Sequence, residues 1–329
     1  MPQAIVLREH GGPDTLGYEM VAVADPGPGE LRLRQTAIGV NYHDVYVRSG
    51  LYQTLPLPGI PGIEAMGVVT ALGAGVTGFS VGDRVGYITN TYGAYASERN
   101  LPAELALHLP ATIDDQLAAT VLLKGLTADM LVRRVHPIEP GMTVLVHAAA
   151  GGVGRLVCQW ATALGATVIG TAGSAEKRQI ALDAGCQAVI LYREVDFAPE
   201  VMRLTNGRGV DVVYDGVGGD TFYGSLDALA LLGHLVHFGQ SSGPVEPLPM
   251  PRLALKSATV TRPMIFHYTQ DPARLQEMAA SLFEAFATRT LTAEPGLAFP
   301  LKEAAQAHAL LESRTATTPL ILIPEETDV

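Results

Sequence analysis

The chain has 329 residues, of which 48% are hydrophobic and 17% charged, so it is long enough for two domains and can bury a large core. Its net charge of −11 opposes binding to nucleic acid or to an anionic membrane, and two cysteines are too few for a disulfide framework or a cysteine-built zinc site. No run approaches the roughly 18 consecutive apolar residues of a spanning helix, and the N-terminus lacks a signal-peptide pattern, so we expect a cytoplasmic protein.

The pattern from Gln3 to about His108 predicts a β-rich domain. Short β-like runs broken by Gly and Pro are QAIVL, LRLRQTAIGV, AMGVVTALG, DRVGYIT and LALHLP. A polar cluster at residues 112–115 then opens a long helical pattern, QLAATVLLKGLTADMLVRR, with acids at its start and arginines at its end. The architecture changes at this helix.

Strand-like and helix-like segments alternate from Thr143 to Gly239, which predicts a doubly wound parallel sheet. One of the helices in this stretch is expected at 199–205, and another covers DTFYGSLDALALLG. Beyond them come SATVTRP, helices at about 273–287 and 302–312, and a last strand PLILI. The pattern alone leaves open whether this tail extends the parallel sheet or returns to the first domain.

The sharpest local signal is TVLVHAAAGGVGRL, a β-branched strand that runs into Gly151, Gly152 and Gly154 and then into a helix. Such glycines let the backbone approach a pyrophosphate at the positive end of the helix. Because Ala149 holds the first glycine position of the G-x-G-x-x-G pattern, a turn that serves only close packing is the alternative. The further strand–helix alternations favour nucleotide binding.

The end of the next strand indicates which nucleotide binds. An NAD site usually carries an acid about 20 residues beyond the glycines, but this stretch is Thr171-Ala172-Gly173-Ser174, and Lys177 and Arg178 follow it. The missing acid and the nearby Lys177 favour NADPH. The alternative is that Lys177 is an ordinary exposed lysine.

Longer strings occur in one order over nearly the whole chain: NYHDVYVRSGLY, LPGIPGIEAMGVV, VGDRV, LLKGLTA, HAAAGGVG, YDGVGGDTF, FGQSSGP and ESRTATTPLILIP. They resemble the NADPH-dependent quinone oxidoreductases, the zeta-crystallin group of the zinc-free medium-chain dehydrogenases/reductases. The resemblance implies an α/β protein with a GroES-like catalytic domain, residues 1–125 completed by 266–329, and a Rossmann NADPH-binding domain, residues 126–265, with cofactor and acceptor in the interdomain cleft. It also implies a homodimer paired through the edge strand SATVTR.

The resemblance assigns site residues by position. It places Asn41, Tyr46 and Tyr52 at the reacting end of the site. Around the cofactor it places Asn41, Asp44, Tyr46, Lys124, Thr127, Gly152, Val153, Gly173, Ser174, Lys177, Tyr192, Val217, Phe238, Gly239, Ser241 and Arg314. The set makes chemical sense because phosphates receive Lys, Thr and backbone amides, and the nicotinamide receives apolar backbone and an amide side chain.

Two residues depart from the pattern, His43 and Ile63, and both are expected to reshape the substrate pocket. We interpret His43 as a surface or loop histidine, since a proton-transferring histidine needs an aligned partner that the sequence does not reveal. The two phenols are interpreted as an apolar wall rather than as required proton donors.

Zinc-dependent relatives place Cys and His where this chain has Asn41 and Ile63, so we expect no metal. Without a Lewis acid, reduction of an electron-poor acceptor remains feasible, and the predicted reaction is NADPH + H⁺ + quinone giving NADP⁺ + reduced quinone. An NADPH-dependent enal or enone reductase is the alternative enzyme. A crystallin-like or RNA-binding protein is the alternative from another class, and the net charge argues against RNA.

Overall fold

The computed structural model describes residues 1–325 and is mixed α/β. Its strands are β1 (Gln3–Leu7), β2 (Leu16–Met20), β3 (Glu30–Gly39), β4 (Glu64–Leu72), β5 (Arg84–Ile88), β6 (Glu98–Pro102), β7 (Leu107–His108), β8 (Thr143–Val146), β9 (Thr167–Ala172), β10 (Ala188–Leu191), β11 (Val210–Asp215), β12 (Leu229–His237), β13 (Thr259–Thr261), β14 (Leu297–Pro300) and β15 (Leu320–Ile323). Its α-helices are α1 (Tyr42–Arg48), α2 (Asp115–Asp129), α3 (Gly152–Ala163), α4 (Ala175–Asp183), α5 (Phe197–Leu204), α6 (Phe222–Ala228), α7 (Pro251–Ala254), α8 (Ile265–Thr269), α9 (Pro272–Ala287) and α10 (Ala304–Ser313).

The chain divides into two compact units. Unit 1 comprises Met1–Leu123, Asp271–Ala279 and the chain from Ala293 on, and unit 2 comprises Lys124–Gln270 and Ala280–Thr292. The chain first passes from unit 1 to unit 2 inside α2, which the Asp114 carboxylate caps by accepting the Leu117 N–H at 2.7 Å. A π-helical turn, Met130–Val135, follows α2.

Unit 1 is built on a sheet whose strands, within residues 1–325, lie in the order β14-β15-β3-β4-β5-β7, with β6 also paired to β3. Along β3, buried residues alternate with more exposed ones, and Leu31, Leu33 and Gln35 are buried on one face. This pattern fits the position of β3 in the middle of the sheet. The C-terminal tail joins this sheet, since β15 pairs antiparallel to β3 with Ile321 opposite Gly39. That settles which unit the last strands complete.

Unit 2 contains a parallel sheet with the strand order β10-β9-β8-β11-β12-β13. Numbered from β8, this is the order 3-2-1-4-5-6 of a Rossmann fold, as the strand–helix alternation predicted. The order reverses between β8 and β11, so the loops that follow these two strands diverge and leave room at the carboxyl edge of the sheet. β13, the SATVTR strand, lies at the edge of the sheet.

The largest disagreement with the sequence pattern lies in DTFYGSLDALALLG. The helix α6 ends at Ala228, and the next residues begin β12, where Leu229 pairs with Val210. Leucine and alanine suit a helix, but here tertiary pairing overrides that propensity. The sequence pattern did not predict strands β2, β6 and β14. None of the helices within residues 1–325 is long and apolar enough to cross a membrane.

Candidate functional site

The glycine turn of unit 2 connects β8 to α3. Ala148 adopts a left-handed backbone with φ 50°, and Gly151 caps α3, so Gly152 and Val153 are the first two helical residues. A Cβ on Gly154 would collide with the carbonyl oxygen of Ala148, so only glycine fits at this position. The turn therefore brings backbone N–H groups to the positive end of a 12-residue helix, as a pyrophosphate requires.

The next strand end carries the residues predicted to recognise the ribose. Ser174 caps α4 by accepting the Lys177 N–H at 3.3 Å. A Cβ on Gly173 would lie 2.7 Å from the Tyr192 hydroxyl oxygen, so the phenol lies directly over this glycine. Gly173, Ser174, Lys177 and Tyr192 thus lie together, on the ends of β9 and β10.

Three cations share this corner. Partial burial lowers the pKa of Lys177, and the positive charges of Arg193 and Arg155 lower it further, against an opposing effect of Glu176. Arg155 is anchored by donating its Nε–H to the Ala150 carbonyl at 2.8 Å. Like charges held close repel one another unless an anion binds between them, which is what a 2′-phosphate supplies. Neither arginine was among the predicted site residues, although Arg155 lies in the glycine-turn string and Arg193 directly follows Tyr192.

A buried hydrogen-bond network links the carboxyl ends of β8 and β9 to α6. The His147 ring bonds to the Thr171 hydroxyl at 3.0 Å and to the Ser225 hydroxyl at 2.9 Å. Burial lowers the pKa of His147, with Asp215 opposing that effect, so the imidazole is neutral and donates through one nitrogen. The network is absent from the sequence-based site, since its members lie up to 78 residues apart.

The loops after β11 and β12 hold the residues assigned to the nicotinamide. Asp215 accepts the N–H of Val217 at 2.8 Å, and its own carbonyl accepts the Phe238 N–H at 2.8 Å. The Ser241 N–H donates to the Gly216 carbonyl at 3.2 Å. Val217, Phe238, Gly239 and Ser241 are thus brought together beside the strand-order reversal of the sheet.

Unit 1 gathers its candidate residues around the start of α1. Asn41 caps this helix, and its own N–H donates to the Asp44 carboxylate at 2.9 Å. The Asn41 side-chain amide donates to Glu64 at 2.9 Å, and the other oxygen of Glu64 accepts the Leu123 N–H at 2.6 Å. Asn41, Asp44 and Glu64 are all buried, so Glu64 fixes the orientation of the Asn41 side-chain amide while Asp44 holds the Asn41 backbone.

A second layer supports Asp44. The Tyr95 hydroxyl lies 3.2 Å from an Asp44 oxygen and 2.9 Å from Nε2 of His308, and all three side chains are fully buried. Burial and the Arg48 cation lower the pKa of His308 to about 3, which keeps its ring neutral. Sequence reasoning missed Tyr95, His308 and Glu64, because nothing in their local pattern reveals contacts with α1.

Aromatic rings line the other side of α1. Tyr46 and Tyr52 meet edge to face with ring centroids 5.2 Å apart, because the Tyr52 N–H bonds to the Tyr46 carbonyl and folds the loop back. His43 contacts both Tyr52 and Tyr92, and its Nε2 lies 3.3 Å from the Tyr92 hydroxyl. The interpretation of His43 as a surface or loop histidine is wrong, since the residue is helical, partly buried and has a hydrogen-bond partner.

The remaining predicted residues lie elsewhere. Lys124 and Thr127 are in the part of α2 that belongs to unit 2, and Arg314 caps the end of α10 in unit 1 with φ 57°. Their placement beside a nucleotide stays a prediction. Ile63 is buried, and no group of three His, Cys, Asp or Glu side chains that could hold a metal occurs within residues 1–325.

Two family models match the chain. The model described as the alcohol dehydrogenase GroES-like domain matches residues 27–111, and the model described as zinc-binding dehydrogenase matches residues 152–284. The first match falls within unit 1. The second begins at the first residue of α3 and covers strands β9 to β13 of the parallel sheet.

Full-length relatives include a quinone oxidoreductase of Pseudomonas aeruginosa, 45% identical over 98% of this chain and 100% of its own length. A 2-haloacrylate reductase of a Burkholderia species is 42% identical over 99% of this chain and its whole length. Among solved structures, the Escherichia coli quinone oxidoreductase complexed with NADPH superimposes with a TM-score of 0.95 at 43% identity, covering 98% of this chain and 100% of that chain.

Proposed function

This chain belongs to the quinone oxidoreductase family of the medium-chain dehydrogenases/reductases. We propose that the residues at the carboxyl edge of the parallel sheet bind the cofactor and that the residues around the start of α1 bind the acceptor. The protein is an NADPH:quinone oxidoreductase, and NADPH is its cofactor. The main support for this assignment is the group of three cations Lys177, Arg155 and Arg193, which we call the phosphate corner. Three cations beside the strand end proposed to bind the ribose fit a 2′-phosphate and not a ribose hydroxyl.

We assign the cofactor to the carboxyl edge of the parallel sheet. Gly152 and Val153 hold the pyrophosphate through backbone N–H groups, and Ser174, Lys177 and Tyr192 hold the 2′-phosphate and its ribose. Val217, Phe238, Gly239 and Ser241 border the nicotinamide, with Lys124 and Thr127 at its ribose and Arg314 over the adenosine. When bound, NADPH supplies the hydride that reduces the acceptor. The His147 network keeps the strand ends that carry these groups in fixed register.

We assign the acceptor to the start of α1. Asn41 presents an amide that Glu64 orients, on a backbone that Asp44 holds, so it can direct a hydrogen bond without first reorganising. Tyr46 and Tyr52 form a wall that packs against the acceptor ring and excludes water. No phenol is required as a proton donor, since quinones are reduced readily.

The reaction is proposed to need no metal. Position 41 carries an amide and position 63 a hydrocarbon, and neither supplies the thiolate or imidazole that zinc prefers. The purified protein is expected to keep full activity in EDTA and to contain no stoichiometric zinc by elemental analysis. One tightly held zinc per chain would contradict this.

Reduction of an activated carbon–carbon double bond is the second candidate function, because a 2-haloacrylate reductase shares 42% identity with this chain. Consumption of NADPH with 1,4-benzoquinone, 2-hexenal and 2-chloroacrylate, measured side by side, separates the two. We expect the quinone to give the highest kcat/KM. A higher value for either alkene would make alkene reduction the main activity.

We also propose a homodimer that pairs through β13. The strand lies at the sheet edge, and Leu231, Leu232 and Leu255 of the same unit are each more than 70% exposed, as is typical of a face that a partner covers. Light scattering at micromolar concentration should give the mass of two chains. The two cysteines are free and buried, which suits a reducing compartment, so a cytoplasmic location is part of the proposal.

A further inference from the structure

Glu64, the first residue of β4, carries a carboxylate that is fully buried in unit 1. One of its oxygens accepts the side-chain N–H of Asn41 at 2.9 Å, and the other accepts the backbone N–H of Leu123 at 2.6 Å. Burial of a carboxylate is costly unless donors reach its oxygens, and here an N–H group reaches each of them. Glu64 therefore joins two elements, the cap of α1 and the middle of α2.

Gly39, the last residue of β3, leaves the room that this carboxylate occupies. A Cβ on Gly39 would collide with Oε2 of Glu64 and would lie 2.8 Å from the carbonyl oxygen of Ala119 in α2. In a regular helix the Leu123 N–H donates to that carbonyl, four residues before it. Here the Glu64 carboxylate accepts the same N–H, so Glu64 is anchored on the backbone of α2 and not only on another side chain.

The carboxylate decides which end of the Asn41 side chain faces it. Asparagine can turn its amide by half a turn with little change of shape, which exchanges a donor nitrogen for an acceptor oxygen. Because carboxylate oxygens only accept, the nitrogen of Asn41 faces Glu64, and the reversed amide would set oxygen against oxygen. Glu64 thus selects one of two orientations, and with it the group that Asn41 presents on its other side.

We propose that Glu64 is a positioning residue for quinone reduction: its carboxylate, anchored on α2, keeps the Asn41 amide in the one orientation that binds the acceptor. Glu64 acts through Asn41 and does not itself touch the acceptor. The proposal rests on the assignment of the acceptor to the start of α1. Glu64 was not among the predicted site residues, although it directly follows Ile63 in the string LPGIPGIEAMGVV.

The test removes the charge and then reverses the pair. Glu64→Gln keeps the size of the side chain but offers an N–H toward Asn41, which favours the reversed amide. The double variant Asn41→Asp, Glu64→Gln again sets a donor against an acceptor, but position 41 no longer has an amide. Asn41→Ala removes the amide outright, and Glu104→Gln, at an exposed site of unit 1, controls for the loss of one charge. For each variant we would measure kcat and KM with 1,4-benzoquinone, the NADPH Kd by fluorescence, and Tm.

We expect Glu64→Gln to lower kcat/KM for 1,4-benzoquinone about 10-fold, as the loss of one well-oriented hydrogen bond does, with the NADPH Kd within about 2-fold of the wild type. The double variant should have the wild-type Tm but not the wild-type kcat/KM, and Glu104→Gln should match the wild type throughout. A purely structural role predicts instead that Tm, NADPH affinity and activity fall together in Glu64→Gln and all return in the double variant. That result would overturn the proposal.

Asn41→Ala separates this proposal from the proposed function. If it leaves kcat/KM for the quinone unchanged, the acceptor assignment fails, and the role of Glu64 fails with it. If it lowers kcat/KM and Glu64→Gln does not, only the role of Glu64 fails. Should Glu64→Gln not fold, the double variant decides the question, because its two side chains remain paired. A kcat/KM about 10-fold below the wild type at unchanged Tm would support the proposal, and full activity would overturn it.

Discussion

In unit 2 the candidate residues follow one another at the ends of neighbouring parallel strands, whereas in unit 1 they come from distant parts of the chain and touch through side chains. The glycine turn and the Ser174 cap act largely through backbone N–H groups. By contrast, Asn41 is fixed by Glu64, 23 residues away, and Asp44 is supported through Tyr95 by His308.

The difference shows which kind of site tolerates change. A phosphate site made of backbone and helix ends needs glycines at a few positions and accepts many residues elsewhere. A site made of buried polar side chains depends on every partner, because an unpaired buried group costs about 1–3 kcal/mol. A single substitution is therefore expected to disturb the acceptor-side cluster of unit 1 more than the backbone-built phosphate site of unit 2.

The largest expected effect is a loss of folding stability at acidic pH. Burial holds the folded pKa of His43 at about 4 and of His308 at about 3, below the unfolded value of about 6.5. The unfolded chain therefore takes up these protons first, so the free energy of unfolding is intact above pH 6.5 and falls as the pH drops toward 4. Each of the two histidines should contribute about 2–3 kcal/mol of that loss at pH 4.5.

The pH dependence also sharpens the comparison between units. Unit 2 has its own buried neutral histidines, including His147 and His234. Burial lowers the pKa of both, and that of His234 to about 4. The free energy of unfolding of His308→Gln and of the wild type can be measured by chemical denaturation between pH 4.5 and 7.5. It should depend less steeply on pH in the variant. An unchanged slope would mean that His308 is not neutral in the folded protein.

The next effect concerns the phosphate corner formed by Lys177, Arg155 and Arg193. Lys177→Ala should weaken NADPH binding about 10- to 100-fold and leave NADH binding unchanged, because a single charged hydrogen bond is lost. The matched control is Arg178→Ala, one residue further along the same helix and exposed. Isothermal titration with both nucleotides measures this. Equal losses for NADPH and NADH would show that Lys177 supports the fold of the site rather than the 2′-phosphate.

The smallest effect is expected at the phenols. Tyr46→Phe and Tyr52→Phe each keep the edge-to-face ring contact, so kcat should stay within about 3-fold of the wild type, whereas loss of a required donor would cost about 10²-fold. Steady-state kinetics with 1,4-benzoquinone distinguishes these outcomes. A large drop in kcat with NADPH affinity intact would make one phenol an essential proton donor.

How far the sequence predicts the site follows from the same contrast. The Rossmann sheet, the glycine turn, Ser174 and Lys177 could be read from the chain, because each depends on residues within a few positions of one another. Glu64, Tyr95 and His308 could not, since their partners lie between 23 and 213 residues away. The interpretation of His43 failed for this reason: its partner Tyr92 is 49 residues distant and belongs to a loop without a recognisable pattern.

The most direct test of the account is the ratio of kcat/KM for NADPH to that for NADH, measured with 1,4-benzoquinone on EDTA-treated protein. A phosphate corner built from Lys177, Arg155 and Arg193 predicts a ratio of at least about 10, with quinone reduced in equal amount to NADPH oxidised. Equal efficiency for the two nucleotides, or activity that disappears in EDTA and returns with zinc, would contradict it.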